Sequence, residues 1–97
     1  MNMQAMMQQA QKIQKEILNS KKEIENKTYV CTQSFVTVEM KGTKEIINIK
    51  IDQDNLDKDD IEILQDLLVV AINQNIKSIN KDTDAKMSKF GGMAGLL

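Results

Sequence analysis

Lys12, Lys15 and Lys22 are three and then seven residues apart, which on a helix places three ammonium groups along one face beside Gln8 and Asn19. Ammonium and amide side chains in such a row suit phosphate oxygens and shallow groove contacts on a nucleic-acid duplex. Lys21 adds to this set, and a second group, Lys77, Lys81, Lys86 and Lys89, lies toward the other end of the chain. From it, Lys86 and Lys89 are the candidates for extending a nucleic-acid contact, although lysines there also complement a helix C-terminus. The plain alternative is a solvated surface. Lys12–Glu16 and Lys21–Glu25 are i,i+4 pairs that steady an exposed helix by a few tenths of a kcal/mol. Charge by segment favours the first helix for anion contact. Residues 1–27 hold five lysines against three glutamates, whereas residues 52–66 hold one lysine against seven acids, a corner that repels phosphate.

Other chemistry is poorly supplied. The chain has no His, which removes the common general base and metal ligand of neutral pH. Asp52-x-Asp54 begins like a calcium loop, but Asp57 stands where that loop needs glycine and Ile63 where it needs a bidentate glutamate. Helix capping accounts better for these acids. The single cysteine, Cys31, falls in a strand-like stretch without the basic setting of a reactive thiol, and it cannot form an internal disulfide. The glycines form no phosphate-binding loop, and no nucleophile has a visible base. No enzyme activity, cofactor, metal site or small-molecule substrate is expected.

The elements that would hold the lysines follow from periodicity. Met3, Met6, Ala10, Ile13, Ile17 and Ile24 alternate at heptad spacing, with Ser20 in the remaining slot, so the N-terminal block to about Asn26 predicts one long helix. Its thin seam predicts a helix that docks loosely or projects. From Thr28 the period becomes two. TYVC gives a short strand; in SFVTVEM, Val36, Val38 and Met40 share a face, opposite Phe35, Thr37 and Glu39. In IINIKI, Ile47, Ile49 and Ile51 share a face opposite Ile46, Asn48 and Lys50, and KGTK around Gly42 is the hairpin turn. Asp57 then caps a helix from about Lys58 to Lys81. The expected architecture is α+β, in the order α-β-β-β-α with an antiparallel three-stranded meander. Residues 1–81 form one domain, and the Gly-containing stretch 82–97 forms a flexible tail.

LLVVAI, residues 67–72, offers more apolar surface than one sheet face covers. Leu64, Leu67, Leu68, Val69, Val70, Ala71 and Ile72 therefore predict the interface of an obligate homodimer, since a chain of 97 residues buries little by itself. The competing reading has the first helix cover them within one chain. Nothing in the sequence is long and apolar enough to cross a membrane, and the N-terminus lacks the pattern of a secretory signal, which predicts a cytoplasmic protein.

MMQQAQKIQKEI, VTVEMKGTKEIINIKID, LDKDDIEILQDLLVVAIN and KMSKFGGMAGLL together resemble the YbaB/EbfC family of bacterial nucleoid-associated proteins, in order and over nearly the whole chain. The resemblance implies a tight homodimer with protruding N-terminal helices. It also implies binding of double-stranded DNA with weak sequence preference, at the nucleoid. Two departures fall in turns. Thr32, Gln33 and Ser34 stand where the family usually has a glycine cluster, and Lys44 where a second hairpin glycine is common. A different class of function is also open: a protein-interaction module whose Met-rich heptads dock on another helical protein.

Overall fold

The computed structural model describes residues 2–91. The elements are α1 (Met3–Asn26), β1 (Thr28–Gln33), β2 (Val36–Lys41), β3 (Ile46–Ile51) and α2 (Lys58–Met87), the α-β-β-β-α order expected. Twenty-four residues without Gly or Pro let α1 run unbroken, and the Asn2 side chain caps it by accepting from the Gln4 N–H. Lys27, in extended conformation, passes directly into β1. α2 begins with a capping box in which Asp57 accepts from the Asp59 and Asp60 N–H groups and Asp60 returns a bond to the Asp57 N–H.

The sheet is an antiparallel meander with β2 at its centre. Val36, Val38 and Met40 are buried, so the alternation in β2 points the expected residues at the core. α2 lies across β1 and β2, with Ala71 packed on Val36 and Val38, and Ile79 packed with Ile24, Tyr29 and Met40. Buried Asn75 of α2 donates to the Val38 carbonyl at 2.9 Å. Just beyond it the β2–β3 register shifts between Glu39 and Met40. Because of that shift Ile46, rather than Ile47, stands across from Met40, a one-residue slip of phase that an alternating pattern cannot announce.

Two further expectations are corrected, and a third, the thin seam of the first helix, holds with a refinement. The second helix does not stop at Lys81 but continues to Met87, followed by one tight turn over Ser88–Gly91. Residues 82–87 contain no helix breaker, and two ion pairs tie them to the end of α1: Asp82 with Lys27, and Lys86 with Glu23. The flexible tail expected over 82–97 is thus helical in its first six residues, and residues 92–97 lie outside those described. Ala71 was expected at an interface between chains, yet its own sheet buries it fully. It occupies the α2 face turned to β2, where only a small side chain allows close approach. Finally, the heptad seam of α1 divides: Ile17, Ser20 and Ile24 are buried, whereas Met3, Met6 and Ala10 remain exposed beyond the body.

The resulting molecule is 72 Å long and 19 × 14 Å across, with a radius of gyration of 19.4 Å. A compact domain of this length would have about 12–13 Å. Its accessible surface is 7206 Å², where a compact monomer of equal mass would show about 5,600 Å².

Candidate nucleic-acid interface

α1 projects because only its second half has something to pack against. Lys12, Lys15 and Lys22 lie on the exposed side, opposite the buried Ile17, Ser20 and Ile24, with Gln8 and Asn19 exposed beside them. At about 1.5 Å per residue the three lysines extend over roughly 15 Å of helix. None of them is in an ion pair among the described residues. A helix of that diameter fits the major groove of B-form DNA, and its lysines can equally follow the phosphates along the groove edge.

The other proposed lysines are placed differently. Lys21 is half-buried and turns toward the body, into an open pocket between α1, α2 and the β2–β3 turn. Lys86 is paired with Glu23 and so is less free to meet a phosphate than the outer row. That hydrogen bond and the two nearby cations, Lys86 and Lys89, hold the Glu23 carboxyl below its ordinary range. Lys89 is exposed, with its Nζ 4.9 Å from the centroid of the Phe90 ring. The seven interface candidates also divide. Leu64, Leu67, Leu68 and Ile72 are half-buried against the Val36–Val38–Ala71 cluster, whereas Val69 and Val70 are 58 % and 49 % exposed.

Sequence reasoning passed over two features. β3 is exposed along its whole length, with Ile49 and Ile51 on the same side as buried Val38 and Val36 but beyond the reach of α2. The Lys27–Tyr29–Asp82 group, which fastens β1 to α2, joins residues more than fifty positions apart. Tyr29 donates to Asp82 at 2.7 Å, and Lys27 bonds the same carboxylate at 3.0 Å while lying over the Tyr29 ring. Burial first, then the Asp82 carboxylate, pushes the Tyr29 hydroxyl up to about 12, and the Tyr29 and Lys27 bonds lower the Asp82 carboxyl.

A titration follows from this. With one tyrosine and no tryptophan, ultraviolet absorbance reports Tyr29 alone. It should ionise near pH 12 in the folded protein and near pH ~10 in denaturant. Because the folded state holds the proton more tightly, stability should be undiminished below pH ~10 and fall between there and about 12. Asp82 acts at the other end: its contribution is present at neutral pH and is lost as pH falls through its lowered value. A folded-state tyrosine titrating at the unfolded value would refute the buried hydroxyl–carboxylate bond.

Among the described residues no group of three or more acid, Cys or His side chains could hold a metal ion, and no helix is long and apolar enough to cross a membrane. Residues 1–94 match the family model described as the YbaB/EbfC DNA-binding family. The chain belongs to the YbaB/EbfC family. A nucleoid-associated protein of Lactococcus lactis subsp. cremoris is 44 % identical over 92 residues, covering 93 % of each chain. A nucleoid-associated protein of Clostridium novyi is 40 % identical over 94 residues, covering 95 % of this chain and 82 % of its own. One from Streptococcus thermophilus is 39 % identical over 95 % of both chains. In this YbaB/EbfC chain Ser34 and Lys44 stand in the two connections between strands. Both residues keep left-handed backbone conformations, φ 53° and 73°, that glycine adopts without strain. Each costs roughly 1 kcal/mol relative to glycine.

Proposed function

We propose that this YbaB/EbfC chain is a homodimeric, nucleoid-associated protein of the bacterial cytoplasm. In this reading it binds duplex DNA with weak sequence preference, chiefly by phosphate contacts from α1. The projecting arm with unpaired Lys12, Lys15 and Lys22 carries the reading. Its exposed row offers mainly ammonium groups, which suit phosphates, so affinity rests chiefly on counterion release. The relatives' naming as nucleoid-associated proteins supports the same partner.

Dimerisation is supported by the surface left uncovered. Ile49 and Ile51 of β3 continue the apolar side of the sheet past the edge of α2, while Val69 and Val70 are apolar and exposed on the helix itself. Exposed apolar side chains of this kind, on a chain so extended, support an interface there. A second copy closing over it would set two arms side by side, able to straddle one duplex.

The test is fluorescence anisotropy on duplexes of varied sequence, titrated with salt, beside sedimentation at micromolar concentration. The expected results are a two-chain species, similar affinity across sequences, and a slope of log affinity on log salt of about −4 to −5 for four to six neutralised phosphates. A well-folded single chain would remove the dimer, and no binding at about 50 mM salt would remove the DNA contact.

The exposure of Met3, Met6 and Met7 favours a second reading, in which the arm docks on another helical protein through adaptable methionines. In that case changing Met3, Met6 and Ile13 to Gln abolishes partner capture and leaves DNA affinity intact.

A further inference from the structure

Lys44 has a left-handed backbone that favours glycine, and it lines a pocket that another lysine lines too. The pocket, about 240 Å³, lies where α1, α2 and the β2–β3 turn meet; Lys21, Lys44, Asn80, Thr83, Glu25 and Gly42 contribute to its wall. Neither Lys21 nor Lys44 belongs to an ion pair among the described residues. Thr83 donates its hydroxyl to the Ile79 carbonyl at 2.8 Å and can only accept there, which leaves two ammonium groups and the Asn80 amide as the donors. Glu25 is the single acid in the wall, so the positive charge is not balanced.

Lys21 and Lys44 against the single acid Glu25 leave the pocket wall with a net charge of +1, which a bound monoanion would neutralise. A left-handed lysine adds backbone strain at the same point. Both features are accounted for by one occupant: an oxygen-rich monoanion small enough for the pocket. The geometry points to a phosphodiester seat formed by Lys21 and Lys44, which holds one backbone phosphate of the duplex that α1 engages. This rests on the proposed DNA binding and deepens it, by adding a hairpin-turn lysine and assigning Lys21 a different phosphate from the one reached by the outer row. The seat lies on the flank of α1, about a third of a turn from Lys22, so strand and arm would be fixed in rotation as well as in position.

The decisive variant is Lys44→Gly, because its two effects have opposite signs. It relieves the left-handed backbone, so its urea midpoint should rise, while duplex affinity at about 100 mM salt should fall about tenfold, with the salt slope shallower by about 1 for each seat engaged. Lys44→Arg keeps the charge and should retain wild-type affinity. Lys58→Gln, which removes one charge at the acidic start of α2, should change nothing. Unchanged affinity and slope in Lys44→Gly overturn the seat, as does an equal loss in Lys58→Gln, which would reduce the effect to net charge. Failure of the wild type to bind any duplex removes the DNA reading and this seat together; wild-type binding with an indifferent Lys44→Gly removes the seat alone.

Discussion

Gly42→Ala should cost this protein at least about 3 kcal/mol, enough to unfold a large fraction of a marginally stable small domain. Gly42 does not have a left-handed backbone; the residue is glycine because something lies where a side chain would go. A Cβ built there would be 1.6 Å from the Ile24 carbonyl oxygen and 2.4 Å from its carbon, with the Glu25 nitrogen at 3.0 Å. All three are backbone atoms of α1, so no rotamer change can make room. The approach is that close because the Gly42 N–H donates to the Lys27 carbonyl at 2.9 Å, binding the hairpin turn to the end of the helix. Accommodating a methyl group requires the turn to move by more than an ångström. That breaks this bond and loosens the Ile24–Met40–Ile79 packing directly behind it. Urea unfolding followed by circular dichroism at fixed protein concentration reads the loss. Thr43→Ala, at the exposed neighbouring position, should stay within about 0.5 kcal/mol of wild type. A Gly42→Ala midpoint equal to that of Thr43→Ala would mean that the turn does not abut α1. The same contact fixes the angle at which the arm leaves the body, so a surviving Gly42→Ala protein should also bind DNA less well.

That contact illustrates what was legible in the sequence and what was not. The change of period at Thr28, the burial of Val36, Val38 and Met40, and the Asp57 cap are local signals, each decided within a few residues, and they hold in the structure. Gly42 could be read as a turn residue but not as the point where a helix presses on a hairpin, because the carbonyl that demands it belongs to Ile24. The end of α2 has the same character. Residues 82–87 are helical in company with Lys27, Tyr29 and Glu23, partners more than fifty positions away, whereas the nearby glycines suggested an earlier stop. The lysine row on α1 was legible because helical spacing alone defines it. That Lys21 leaves the row for a pocket, and that Lys86 is paired with Glu23, depended on how α1 and α2 meet.

Changing Lys12, Lys15 and Lys22 together to Glu should reduce duplex affinity more than 100-fold at about 100 mM salt and leave a much shallower salt slope. The size follows from linkage: each lost phosphate contact removes about 0.9 from the slope, and a dimer loses such contacts on both arms. Reversal also turns a segment with five lysines and three glutamates into one with two lysines and six acids, so the arm repels the duplex. The fold should tolerate this, because all three residues are exposed on the side of α1 away from α2. The local cost is limited to like-charge i,i+4 neighbours such as position 12 and Glu16, a few tenths of a kcal/mol. Helical circular dichroism and sedimentation should therefore match wild type while binding disappears. Lys→Gln at the same positions separates lost attraction from added repulsion: it should give an intermediate affinity with the slope reduced but not abolished. Should the triple glutamate variant bind as tightly as wild type, the phosphates are held elsewhere and the outer row is only a solvated face. The Lys21–Lys44 pocket would then have to carry the contact without it.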